Sequence, residues 1–418
     1  MKVFKTLTAS CRHNLLILFL AGLLFWSALA SLLPTLPLYV SEIGGNSQDI
    51  GIVMGCFAIG LLLFRSWLAR LADLRGRKLV LIIGMVAVAF APLGYLATHS
   101  IPLLMAVRAI HGISIAAFAL AYSALVVDVS PPESRGELIG YMSLVNPTGM
   151  ALGPALGGFL HEWGGYTPAF WAAAVMGMVG LVCTMQVRES GEHLTRKASD
   201  QQSAGQFWLM LGSPRIRIPA VVLFLIGLAF GGLTTFVPLL FKQVQVDLNV
   251  GLFYTAAAIA SFGIRLITGR ASDQYGRGPF ITVSLVMYMG SMVFLWQATN
   301  ASTFLLAGVL EGAGGGILIP MMAALMADRS YPDERGRTFS LCMVGFDLGI
   351  AVAGPCLGAI ADATDYRFIF GLAAGLAFLG LVVFMTLSSK DLLHSMRFAT
   401  GQGEDVYAVD IPHLKPQL

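Results

Sequence analysis

Twelve apolar runs, most of them about twenty residues long, decide what this chain can fold into. They lie at about 15–40, 50–70, 79–97, 101–127, 137–160, 167–187, 217–241, 250–270, 279–297, 302–327, 337–361 and 367–388. Runs of that length suit helices that cross a bilayer. A spanning strand instead shows weak alternation over about ten residues, and these runs are solid. Composition agrees. The chain is 56% hydrophobic and 12% charged, with a mean hydropathy of +0.77, which overrides the two or three soluble domains that 418 residues suggest. The expected fold class is an all-α polytopic membrane protein with twelve transmembrane helices.

Lys and Arg orient it. With the N-terminus inside, only Lys242 and Arg367 of the 26 fall in outer loops, while Arg65, Arg108 and Arg265 lie within spans. The rest are cytoplasmic, which predicts a multi-pass protein of the plasma (inner) membrane with both termini in the cytoplasm. The net charge of +3 therefore points to no nucleic-acid partner. Lys2, Lys5, Arg12 and the Ala28-x-Ala30 pattern resemble a cleavable signal peptide, but the apolar run continues through Val40 and a retained span fits better. The one long polar connection, 188–216, is read as a cytoplasmic linker, its "FWLML" at 207–211 suited to the membrane surface. The polar tail after Ser389 is expected to be loosely ordered. Cys11, Cys56, Cys183, Cys342 and Cys356 are scattered and imply no disulfide framework.

An internal repeat sets the organisation. Arg65, Arg70, Asp73, Gly76 and Arg77 recur as Arg265, Arg270, Asp273, Gly276 and Arg277, each displaced by 200 residues. Gly112, Asp128, Arg135, Gly136 and Gly149 recur as Gly312, Asp328, Arg335, Gly336 and Gly349 at the same displacement. The chain thus reads as two pseudo-symmetric six-helix bundles, 1–187 and 217–388, joined by the linker 188–216 and followed by the cytoplasmic tail 389–418. Parallel repeats of this kind place a transport pathway between the halves at mid-membrane.

On these residues the chain resembles a known family. "LADLRGRK" at 71–78 and "ASDQYGR" at 271–277 are similar to the signature loop of the major facilitator superfamily. "RAIHG" at 108–112 resembles its fourth-span arginine motif, and "GMALGPALGG" at 149–158 the fifth-span motif of its drug:proton antiporter branch. There are departures: Ala69 replaces a usual Gly, Leu74 a common Arg, Gly278 the second basic residue that Lys78 supplies, and Gly308 stands opposite Arg108. The resemblance implies a secondary transporter that needs no cofactor, runs on a proton gradient and works as a monomer on small molecules.

The residues carry a mechanism of their own. Gly76 and Gly276 permit tight reversals, and Asp73 and Asp273 place negative charge where a helix N-terminus can receive it. Arg77 is placed to pair with Asp128, and Arg277 with Asp328. With Arg70, Arg135, Arg270 and Arg335 they form a candidate cytoplasmic gate, a charge latch that holds one state closed. The alternative is topology alone, basic loops that simply stay inside, but that requires no repeated Asp and Gly.

Ionisable groups within spans cost on the order of 3 kcal/mol or more unless compensated. Glu311, Asp347 and His111 are the proton-coupling candidates, and Arg108 is the fixed positive charge of a central cavity on which the four are expected to converge. Trp26, Tyr122, Tyr141 and Asn146 are further candidates for its lining. The bland reading of each is polar or aromatic contact between helices. Gly149, Gly153, Gly157 and Gly158 lie on roughly one face of the fifth span, with Pro154 able to kink it, a helix-packing motif that "GIAVAGPCLGA" at 349–359 largely repeats.

Rival classes fare poorly. No G-x-x-x-x-G-K-[ST] or H-E-x-x-H motif is present, so neither an ATP-driven pump nor a metal enzyme fits, and no metal site is expected. Ser114 in "GISIA" faintly resembles an intramembrane protease nucleophile, but no later predicted span supplies a histidine base. The expected function is proton-coupled efflux of amphipathic molecules by alternating access. The alternatives are transport of a polar metabolite such as a sugar, siderophore or organic acid, and a non-transporting receptor.

Overall fold

A computed structural model describes residues 7–131, 134–189, 212–331 and 334–409. The membrane-surface expectation for 207–211, the side chain of Arg270 and the end of the tail, 410–418, lie outside the described residues. Among the described residues there are helices and turns but no strand.

The first repeat contains α1 (Ala9–Ser31), α2 (Leu36–Glu42), α3 (Ser47–Arg75), α4 (Arg77–Leu96), α5 (Ile101–Val129), α6 (Arg135–Ser143), α7 (Val145–Gly164) and α8 (Tyr166–Gln186). The second contains α9 (Pro214–Val244), α10 (Val250–Tyr275), α11 (Gly278–Gln297), α12 (Ala301–Asp328), α13 (Arg335–Ala363) and α14 (Tyr366–Leu387), and α15 (Leu392–Thr400) follows. Among the described residues, eleven stretches are long and apolar enough to cross a membrane. The fifth predicted span is divided, α6 ending at Ser143 and α7 resuming at Val145 around Leu144. α13, its counterpart, is continuous.

Polar punctuation explains the helix ends. Asn46 opens α3 with a capping box: its side chain accepts from the Asp49 amide at 2.7 Å, and Asp49 accepts from the Asn46 amide at 3.2 Å. Asn300 and Asp365 cap α12 and α14 in the simpler way. Leu63 (72% exposed) and Trp163 (83% exposed) turn large apolar side chains outward, as expected of helices that cross a lipid phase.

Two compact units result. One comprises residues 1–200 with 234–258 and 354–363; the other comprises 201–233, 259–353 and 364–418. In the first, the core contains a ring stack, Phe25 on Phe118 at 3.8 Å and Phe118 on Tyr122 at 4.7 Å. Glycines bring its backbones together: a Cβ on Gly112 would overlap the Phe57 carbonyl, and one on Gly60 the Ala109 carbonyl. In the second unit α11 packs on α12 and α14, and α15 lies against α11 and α14. Within the tail, α15 is thus a packed helix, where a loosely ordered segment was expected.

Candidate functional site

The charged corners come first. Gly76 turns between α3 and α4 at φ +97°, and Gly276 between α10 and α11 at φ +81°, the positive-φ reversals that the paired glycines predict. Arg77 donates to the Asp128 carboxylate and to the Ala124 carbonyl (3.1 Å), which ties α4 to the end of α5. In the second unit Arg277 donates to Asp328 (3.2 Å), to Asp273 (2.6 Å) and to the Ser272 hydroxyl (2.7 Å). Partial burial works against the Arg277 charge, but the bonds to Asp273 and Asp328 outweigh it and hold its pKa above the ordinary value. Asp273 therefore serves Arg277 four residues on. Asp73, Arg70 and Arg335 are exposed, and Arg135 donates at 3.5 Å to the Ser130 carbonyl.

One residue here escaped the sequence reading. Glu189, three residues beyond α8, accepts from the amides of Arg77 (2.7 Å) and Lys78 (3.2 Å) and so caps α4. It sits in the polar stretch read as linker, where one more carboxylate carries no signal.

The buried ionisable groups form two clusters. In the first unit His111 Nδ1 lies 2.9 Å from the Tyr95 hydroxyl and 3.4 Å from Arg108 Nη1, and the Arg108 guanidinium sits 4.5 Å from the centre of the Phe57 ring. A guanidinium only donates, so in that contact Nδ1 is the acceptor. In the second unit the Tyr288 hydroxyl donates to Glu311 Oε1 at 3.4 Å. His111 and Glu311 are 200 residues apart, so each repeat presents a titratable group at one place, met by a tyrosine from the preceding span. Asp347 is half-buried on α13. Of the four residues expected to converge, Arg108 and His111 are in contact, and Glu311 is held by Tyr288.

The other candidates divide between core and partial exposure. Tyr122 is buried and donates to the Met142 carbonyl at 3.1 Å, while Trp26, Tyr141 and Asn146 are half-buried. In the glycine motif, Gly149, Gly153 and Gly157 face Trp26, Ser27 and Ser31 of α1, where a Cβ would clash, and Gly158 faces Asn249. At the end of the first unit opposite its charged corner, Asp362 accepts from the amides of Ser47 (2.8 Å) and Gln48 (3.0 Å), and Thr255 donates to the Ala151 carbonyl (2.6 Å). Gly51 and Gly354 approach there backbone to backbone.

Comparison with known proteins turns this geometry into a family assignment. The model of the Major Facilitator Superfamily matches residues 18–290 and 244–399. The chain belongs to that superfamily. As a member it is a multi-span membrane transporter of small molecules and not an enzyme. The transporter is 26% identical over 395 residues to the multidrug resistance protein MdtG of Klebsiella pneumoniae, covering 91% of this chain and 94% of that one. It is 24% identical over 379 residues to the multi-drug resistance efflux pump PmrA homolog of Lactococcus lactis, covering 87% and 92%. Among solved structures, a nucleoside transporter NupG variant superimposes with a TM-score of 0.75 at 14% identity, covering 89% of this chain and 99% of that one. A D-xylose-proton symporter gives 0.74 at 16%, covering 95% and 100%. Those two likenesses establish a shared fold.

Proposed function

We propose that the transporter is a proton-coupled antiporter of the plasma membrane that exports amphipathic, drug-like small molecules by alternating access. The carrying observation is that two multidrug-resistance relatives align with 91% and 87% of its length. In this reading the two repeats, 1–187 and 217–388, are the moving parts, both termini are cytoplasmic and the monomer is the working unit. Arg77–Asp128 and Arg277–Asp328 latch the cytoplasmic side and part during the cycle. The Asp362 cap and the Gly51–Gly354 approach serve the outer side in the same way. Glu311, buried in a span and hydrogen-bonded by a neutral hydroxyl, is the leading proton carrier, with Asp347 the second.

The test is direct. In proteoliposomes a lipophilic cationic dye should move when a proton gradient is imposed, and dye addition should collapse that gradient. Dye movement that ignores the gradient, or a gradient that ignores the dye, removes the antiport reading.

A further inference from the structure

After its last span each repeat sends the chain back to its own charged corner, and the two do so with different residues. In the first repeat Glu189 caps the start of α4. In the second, α15 takes that position. Gly278, which opens α11, lies so close to the Phe398 carbonyl that a Cβ would overlap it, and Thr282 donates to the Ala399 carbonyl at 2.9 Å.

The chain then runs on to Arg329, the residue after the corner carboxylate Asp328. Arg329 is fully buried, and its Nε and Nη2 donate to the two carboxylate oxygens of Asp405 at 2.7 and 3.0 Å. Two more of its N–H groups reach the carbonyls of Arg215 (3.0 Å) and Ser388 (2.9 Å). The Val409 amide closes the loop by donating to the Asp328 carbonyl at 2.9 Å. The first repeat has Val129 at this position, so the duplication is broken here.

We propose that residues 389–409 are a brace for the second corner, with Arg329 and Asp405 as its positioning pair. A guanidinium whose planar fork is satisfied by a carboxylate and two carbonyls has one geometry. Asp328, its neighbour in the chain, inherits a fixed place from which to meet Arg277. The functional half of this inference rests on the reading of Arg277–Asp328 as a gate; the structural half does not.

Hydrogen–deuterium exchange on the full-length protein in lipid nanodiscs tests it, read at 276–282 and 327–331 with 76–82 as an internal control. Asp405→Asn keeps the shape and removes the charge. It should speed exchange at the second corner by about tenfold, leave the first corner unchanged and slow dye turnover. Asp405→Glu, which keeps the carboxylate, should restore slow exchange. The brace is overturned if the second corner exchanges as in the wild type, or if both corners loosen together as they would in a generally destabilised protein. Should Asp405→Asn not yield folded protein, removal of 404–418 is read by the same criteria. Asp328→Asn separates the two ideas: undiminished turnover in that variant ends the gate reading, while exchange in the Asp405 variants still decides the brace.

Discussion

Glu311 and His111 stand at the same place in the two repeats, each against a tyrosine hydroxyl, yet one is an acid and the other a base. A carboxyl group kept in a span, at a cost on the order of 3 kcal/mol or more when charged, is rarely there for packing. Glu311→Gln preserves the side-chain shape and an acceptor for Tyr288 while removing the ability to carry a proton. Gradient-driven dye efflux should fall at least about tenfold, while the protein stays monodisperse and binds dye; efflux at wild-type rates would move the coupling role elsewhere. Both titratable groups were legible in the sequence because polar residues are conspicuous in apolar runs. Their tyrosine partners were not. A tyrosine in a span is as readily a core aromatic, as Tyr122 is in its stack with Phe118, and nothing in the local pattern tells Tyr95 or Tyr288 apart from it.

Helices and corners follow from patterns that a sequence displays well, apolar length for the spans and an isolated glycine beside paired charges for the reversals. What periodicity cannot display is contact between distant segments. Glu189 capping α4 and Asp405 gripping Arg329 join residues 112 and 76 apart; the first leaves no trace in the pattern, and the second only a break in the repeat, Val129 against Arg329. The two corners offer a paired test of what their glycines do. Gly76 has φ +97° and ψ 156°, a region that glycine alone occupies readily, and a Cβ there would meet a Glu189 carboxylate oxygen at 2.8 Å. Gly276 has φ +81° and open space around it. Alanine at Gly276 should thus cost only the backbone strain, about 1–3 kcal/mol. Gly76→Ala adds loss of the Glu189 cap, about 1 kcal/mol more. Thermal unfolding of the two variants in detergent should rank them in that order, and an equal or reversed ranking would rule out Glu189 as a constraint on this corner.

At the scale of the whole molecule, duplication explains the architecture and divergence explains the chemistry. The repeat preserved both Arg–Asp pairs, but it did not preserve their surroundings. Asp128 is 9% exposed, whereas Asp328 is 44% exposed and shares Arg277 with Asp273. Removing one partner of a largely buried pair takes a charge-assisted bond from a carboxylate that little water can reach, whereas losing an exposed and shared pair is absorbed by solvent and the remaining carboxylate. Arg77→Ala should therefore destabilise by about 2 kcal/mol or more, after discounting for the part of Arg77 that reaches water, and Arg277→Ala by about 0–1 kcal/mol. If the pairs are latches, the asymmetry extends to function. Arg77→Ala should shift the transporter away from the state closed on that side and slow turnover severalfold, and Arg277→Ala should do so weakly as long as the Arg329–Asp405 brace still holds the second corner. Combining Arg277→Ala with Asp405→Asn should then slow turnover by more than the two single effects together, because each variant removes what compensates for the other. Simple additivity in that double-mutant cycle would mean that the pair and the brace act on separate steps.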